Sequence, residues 1–207
     1  GMPEDFEEWA GLGLPEWNWR GVLPSYRRLE RDLDFGERDY HGDAGPITIR
    51  RYPPSEMSVQ HLAFLEAARG LGYPDCPDAN DPDGWGAGPQ PMNKLGRLRV
   101  SCAIGYLAPA RVRKNLTIRP ETTVLRVLTE NGRCVGVQVR NRDGAAEALR
   151  AKLVVLSAGA IMTPAILMRS GLGPREQLEE HSIPVVRHMP GVGQNLSDHP
   201  ALSVTMK

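Results

Sequence analysis

The chain has 207 residues, 41% hydrophobic and 24% charged, and its 25 basic residues balance 25 acidic ones. That composition fits a soluble globular protein and gives no electrostatic reason to expect nucleic acid or an anionic membrane as a partner. No apolar run approaches the roughly 20 residues of a membrane helix, and the opening Gly1-Met2-Pro3-Glu4-Asp5 lacks the basic flank and apolar core of a secretory signal, so a cytoplasmic location is expected.

In chain order, Pro3-Glu4-Asp5-Phe6-Glu7-Glu8-Trp9 opens with proline and acids, the composition of a first helical turn, and stops at Gly11 and Gly13. Val22, Leu23, Tyr26 and Leu29 follow at helical spacing with arginines between them, which predicts an amphipathic helix. Pro46-Ile47-Thr48-Ile49-Arg50 alternates as a strand does. Ser58 is a natural cap for a helix running to Gly70. Glycine and proline gather between Gly70 and Pro91, and again between Pro190 and Pro200, predicting long ordered loops. Residues 100–110 read as helical.

A β-rich unit is expected over residues 116–157. Asn115-Leu116-Thr117-Ile118-Arg119 and Thr123-Val124-Leu125-Arg126-Val127-Leu128 are two β-branched segments around Pro120, and Asn131-Gly132 is a strong hairpin turn into Cys134-Val135-Gly136-Val137-Gln138-Val139. A second turn at Asp143-Gly144 precedes residues 151–157, a run apolar enough to be a strand buried on both faces. Thr163 and Pro164 then suit the N-cap and first position of a helix ending at Gly171. Cys76, Cys102 and Cys134 have no CxxC spacing and predict neither a disulfide framework nor a metal site. His41, His61, His181 and His188 have no partner at motif spacing and read as surface or loop residues.

Ser157, Ala158, Gly159 and Ala160 place small side chains and free backbone N–H groups at the end of an apolar run, where α/β sheets bind ligands. On this feature alone, tight strand-to-helix packing through small residues is the favoured reading. What makes the segment specific is its continuation: Gly159-Ala160-Ile161-Met162-Thr163-Pro164-Ala165-Ile166-Leu167-Met168-Arg169-Ser170-Gly171-Leu172-Gly173-Pro174 closely resembles the second signature of the glucose-methanol-choline (GMC) family. Val192-Gly193-Gln194-Asn195-Leu196-Ser197-Asp198-His199-Pro200 resembles that family's VG-x-NL-x-DHP segment. Tyr40-His41-Gly42 with Gly45-Pro46-Ile47, and residues 97–117, are similar to further family elements in the same order.

The resemblance implies an α/β fold of α+β character: part of a GMC-type FAD-binding fold, with a β-rich unit, a strand-turn-helix and an incomplete substrate domain. Residues 1–110 would hold helices and part of the substrate domain, 111–175 part of the FAD-binding domain, and 176–207 a return toward the substrate domain. It further implies FAD as cofactor, a small-molecule alcohol as substrate, a backbone contact from Val124 to the adenine, and Ser157, Ala158, Gly159 and Ala160 against the ribose and diphosphate. The family's catalytic histidine falls outside this sequence, so no catalytic residue is expected here. Asp198 and His199 invite an acid–base reading, yet fixing a loop by hydrogen bonds is the favoured role. No complete GxGxxG run follows an apolar strand. The expectation is therefore a fragment of an alcohol dehydrogenase or oxidase, inactive alone and prone to self-association through exposed apolar surface. The alternatives are a non-catalytic interaction module and one subunit of a split enzyme.

Overall fold

The computed structural model describes residues 2–198. The chain divides into two compact units, residues 1–116 and residues 117–207.

The first unit opens with helices α1 (Pro3–Gly11) and α2 (Trp19–Leu29). Phe6 is buried between them, with its ring centroid 5.6 Å from those of Trp9 and Trp19 and 5.9 Å from that of Tyr26. Asn18 caps α2 by accepting the Gly21 N–H at 2.8 Å. Strands β1 (Glu30–Asp32) and β2 (Ile47–Ile49) pair in parallel. Helix α3 (Val59–Gly70) begins where the sequence predicts, with the Ser58 hydroxyl accepting the His61 N–H. Strands β3 (Lys94–Leu95) and β4 (Leu98–Arg99) form a short antiparallel pair, a π-helical turn spans Ala103–Leu107, and α4 is Ala108–Ala110. The expected helix over 100–110 is thus present but widened. Residues 71–93 form a long ordered loop, pinned by the backbone bridge between Asp75 and Ala87.

Alongside the buried Phe6, Ile47 and Val100, this unit's interior holds an ionic network. His41 is only 2% exposed. Its Nδ1 lies 2.6 Å from Glu30 Oε1 and its Nε2 lies 2.8 Å from Asp78 Oδ2. The buried Arg51 guanidinium donates to both oxygens of Asp32, at 2.9 and 2.7 Å, and to Asp78 through its other nitrogen. Arg51 also lies 4.7 Å from the Phe35 ring centroid. His41 lies in a loop, as expected, but it is buried and partnered, which corrects the expectation of a surface residue without a partner. Its partners come from β1 and from the 71–93 loop, so no local spacing announces them. Gly42 permits the approach, because a Cβ there would sit 1.9 Å from the Arg27 carbonyl oxygen. His61, His181 and His188 are exposed, as expected.

The second unit is built on a three-stranded antiparallel meander, β5 (Thr123–Glu130), β6 (Arg133–Arg140) and β7 (Ala146–Arg150). Asn131 and Gly132 both have positive φ, 50° and 74°, as a two-residue type I′ turn requires. Both predicted hairpins form. β7, however, lies earlier than the expected strand. Residues 151–157 join no sheet, and Leu153 and Val155 are 79% and 76% exposed. This corrects the expectation of a strand buried on both faces: an apolar run becomes such a strand only between two neighbours, and none flanks it among the described residues. Residues 115–119 likewise form no strand.

Helix α5 spans Gly159–Arg169, followed by β8 (Leu172–Gly173), α6 (Arg175–Glu180) and β9 (Arg187–His188), with β8 and β9 parallel. α5 begins four residues before the expected Thr163, so Pro164 lies inside it. Pro164, in the second turn of α5, leaves the Ala160 carbonyl without the intrahelical hydrogen bond that an N–H there would have supplied, a cost the helix bears. Val127, Val139, Ile166 and Leu178 are buried in this unit.

Candidate cofactor-binding site

Residues 151–157, outside any helix or strand, lead into the turn Ser157, Ala158, Gly159 and Ala160 at the start of α5. Thr163 is not the N-cap; from inside the helix its Oγ1 accepts the Ala158 N–H at 3.1 Å and fastens the turn. Gly159 has φ +82°, which other L-residues rarely adopt, and a Cβ built there would meet nothing within 4 Å. The backbone therefore faces open space. The first-turn N–H groups of a helix have no partner within it, and no acidic residue occupies this first turn. The result is a concentrated positive end suited to a diphosphate or to sugar hydroxyls. Beside it, α5 and residues 192–197 enclose a groove of about 610 Å³ whose walls include Ile161, Pro164, Met168, Gly193 and Asn195.

The other end of α5 anchors the meander. Ser170 Oγ accepts the Val127 N–H at 2.8 Å and donates to the Ile166 carbonyl at 2.6 Å, while Arg169 Nε donates to the Leu125 carbonyl at 2.9 Å. Those bonds satisfy backbone groups of β5, an edge strand of its sheet. Val124 is half-buried and pairs with Val139, next to a register irregularity at Leu125. No hydrogen bond among the described residues joins Val124 to the Ser157–Ala160 turn. Asp198 is exposed, and His199 lies outside the described residues.

Sequence reasoning singled out neither Ser170 nor Arg169 by role, although a serine followed by glycine at a helix end is a recognisable stop. In the first unit it missed the alternation of Glu30, Asp32 and Asp34, which puts two carboxylates on one side of β1. Glu30, Asp32 and His41 bring ligand-type atoms within 4.8 Å of one another. Arg51 occupies both oxygens of Asp32, however, and each His41 nitrogen already faces a carboxylate, so the cluster is an ion-pair network and not a metal centre.

The small-residue turn, the open N-terminus of α5 and the groove beside it coincide with a family match. The GMC oxidoreductase profile covers residues 1–201. The chain belongs to the GMC oxidoreductase family. It is 41% identical over 206 residues to the 5-(hydroxymethyl)furfural oxidase of Methylovorus sp. (strain MP688), spanning 99% of this chain and 38% of that relative. It is 42% identical over 204 residues to an oxygen-dependent choline dehydrogenase of Pseudomonas entomophila (strain L48), covering 96% of this chain and 36% of the relative. Among solved GMC-type structures, pyridoxine 4-oxidase from Mesorbium loti superposes with a TM-score of 0.84 at 34% identity, over 92% of this chain and 37% of that one. A FAD-dependent oxidoreductase from Chaetomium thermophilum gives a TM-score of 0.79 at 25% identity, over 92% and 35%. The chain thus spans little more than a third of the GMC relatives it matches. Its fold is an α/β portion of the GMC fold, whose cofactor is FAD. No helix among the described residues is long and apolar enough to cross a membrane.

Proposed function

We propose that this chain contributes one wall of the FAD site of an enzyme that oxidises a small-molecule alcohol, and that it carries no catalytic residue of its own. The observation that supports this most directly is the α5 N-terminus, where Gly159 opens the backbone to a ligand and Thr163 holds the turn. FAD, when bound, supplies the acceptor for the hydride that leaves the alcohol carbon. The residues here orient it. Ser157, Ala158, Gly159 and Ala160 would lie against the ribose and diphosphate, with the first-turn N–H groups donating to anionic or hydroxyl oxygens. Val124 would meet the adenine through its backbone, and the Ser170 and Arg169 bonds would hold β5 in place for that contact.

In this reading residues 111–175 belong to the FAD-binding part, and residues 1–110 and 176–207 to the substrate part. The exposed apolar residues Leu153, Val155 and Ile161 favour a chain that works within a larger enzyme over a free-standing interaction module, because a module would have to keep that surface in water. The same residues would drive self-association of the isolated chain. Asp198 and His199 would fix a loop. The proton of the substrate hydroxyl would pass to a base outside this chain.

The test is to purify the 207-residue chain, add excess FAD and offer alcohols of the kind that GMC enzymes oxidise. The expected outcome is a chain that is colourless as purified and that, with FAD added, gives no alcohol-dependent dye reduction and no peroxide, unchanged by His199→Ala. Turnover that His199→Ala abolished would show that the chain carries its own acid–base group.

A further inference from the structure

We propose that His41 is a buried imidazolium, donating from both ring nitrogens at once, and that the first unit is consequently a proton-dependent fold that loosens when this one ring loses its charge. The geometry carries the argument. Nδ1 is 2.6 Å from Glu30 Oε1 and Nε2 is 2.8 Å from Asp78 Oδ2, and each contact needs a hydrogen between its atoms. A neutral imidazole has only one. The missing hydrogen could sit on a carboxyl group instead, but both carboxylates already accept hydrogens from other donors. Asp78 accepts from the Arg51 guanidinium and from the Asn80 N–H at 3.0 Å, and Glu30 accepts the Gly42 N–H at 3.2 Å.

The surroundings of the ring are predominantly acidic. β1 presents Glu30 and, 3.4 Å from Nδ1, Asp32; Asp34 follows. The 71–93 loop presents Asp78, with Asp81 beside Tyr40. The cations are Arg51, which pairs with Asp32 and Asp78, and Arg27, whose Nε donates to the His41 carbonyl at 3.0 Å. Tyr40, pushed up to about 12 by burial and by Asp81 and Asp78, stays neutral. Burial on its own would lower the His41 pKa, yet the hydrogen bonds to Asp78 and Glu30 and the nearby Asp32 outweigh it and leave it raised above 6.5. Asp78 shifts the opposite way: burial opposes the shift, but its bonds to His41, Asn80 and Arg51 prevail and hold it below the usual carboxylate range.

The native state therefore keeps a proton that the unfolded state releases. The contribution of His41 is fully present below the unfolded value, near 6.5, and is lost as pH rises through the folded value. Between those two values the folding constant falls about tenfold per pH unit. The ring ties the 71–93 loop to β1, a tie that Arg51 shares through Asp78. All four tryptophans, Trp9, Trp17, Trp19 and Trp85, lie in the first unit, so their fluorescence reports on it alone.

Two measurements on the 207-residue chain decide the matter. Nitrogen-15 NMR of the His41 ring at pH 7.5 should show two protonated nitrogens where a free imidazole is mostly neutral. The tryptophan-monitored urea midpoint should fall from pH 6 to pH 9, with the slope abolished in His41→Gln. A single ring N–H at pH 7.5, a midpoint that falls equally in wild type and variant, or displacement of a ring proton by micromolar zinc would each overturn the proposal. The NMR readout needs only the wild-type chain, so a variant that fails to fold does not weaken the test.

Discussion

Arg51→Met should be the most damaging single substitution in the first unit. The guanidinium is 5% exposed and is shared between Asp32 and Asp78, while the Arg51 backbone N–H donates to Asp34 at 2.6 Å. Methionine fills a similar volume over Phe35 but leaves buried Asp32 without its two-pronged cation and Asp78 with His41 alone. Removing one partner of a buried ion pair costs about 3–5 kcal/mol, because the remaining charge is stranded away from water. Urea unfolding followed by tryptophan fluorescence should therefore show the unit largely unfolded or its midpoint sharply reduced. Arg51→Lys should rescue only part of the loss, since one ammonium cannot reproduce a planar fork that reaches both Asp32 and Asp78. A methionine variant within about 0.5 kcal/mol of wild type, the range of ordinary surface changes, would mean that the network contributes little to stability.

The second large effect is expected at Gly159, in a setting where the site can be complete. That setting is a chimera in which this chain replaces the 206 aligned residues of the 5-(hydroxymethyl)furfural oxidase. There Gly159→Val should reduce retained FAD at least tenfold. Two causes act together. A β-branched residue at φ +82° is strained by about 1–3 kcal/mol, and its side chain projects into the open space through which the first-turn N–H groups face a ligand. The measurement is the flavin-to-protein ratio after gel filtration, with circular dichroism confirming that the variant is folded. A folded valine variant with undiminished flavin would remove Gly159 from the site.

Local chemistry was legible in the sequence wherever it decided the structure by itself. Ser58 caps its helix, Asn131-Gly132 makes its two-residue turn, and β5 and β6 lie where β-branched alternation puts them. Failures came where a distant partner decides. Residues 151–157 have the composition of an interior strand, but composition cannot supply neighbouring strands, and without them Leu153 and Val155 remain in water. His41 looked solitary because its partners stand 11 and 37 residues away in sequence. Thr163-Pro164 imitates a helix start closely. The true start lies at Gly159, because the threonine hydroxyl bonds back to Ala158 and secures an extra turn. The proposal that the turn Ser157, Ala158, Gly159 and Ala160 meets a ligand rests on small residues and family resemblance together, and neither alone distinguishes a ligand contact from tight packing.

The flavin content of the unsubstituted chimera tests the central claim most directly. If this chain carries a competent wall of a GMC FAD site, the folded chimera should hold close to one FAD per chain, while the isolated 207-residue chain holds none under the same conditions. A folded chimera that binds no FAD would contradict the account, as would an isolated chain that binds FAD stoichiometrically without the remainder of the enzyme.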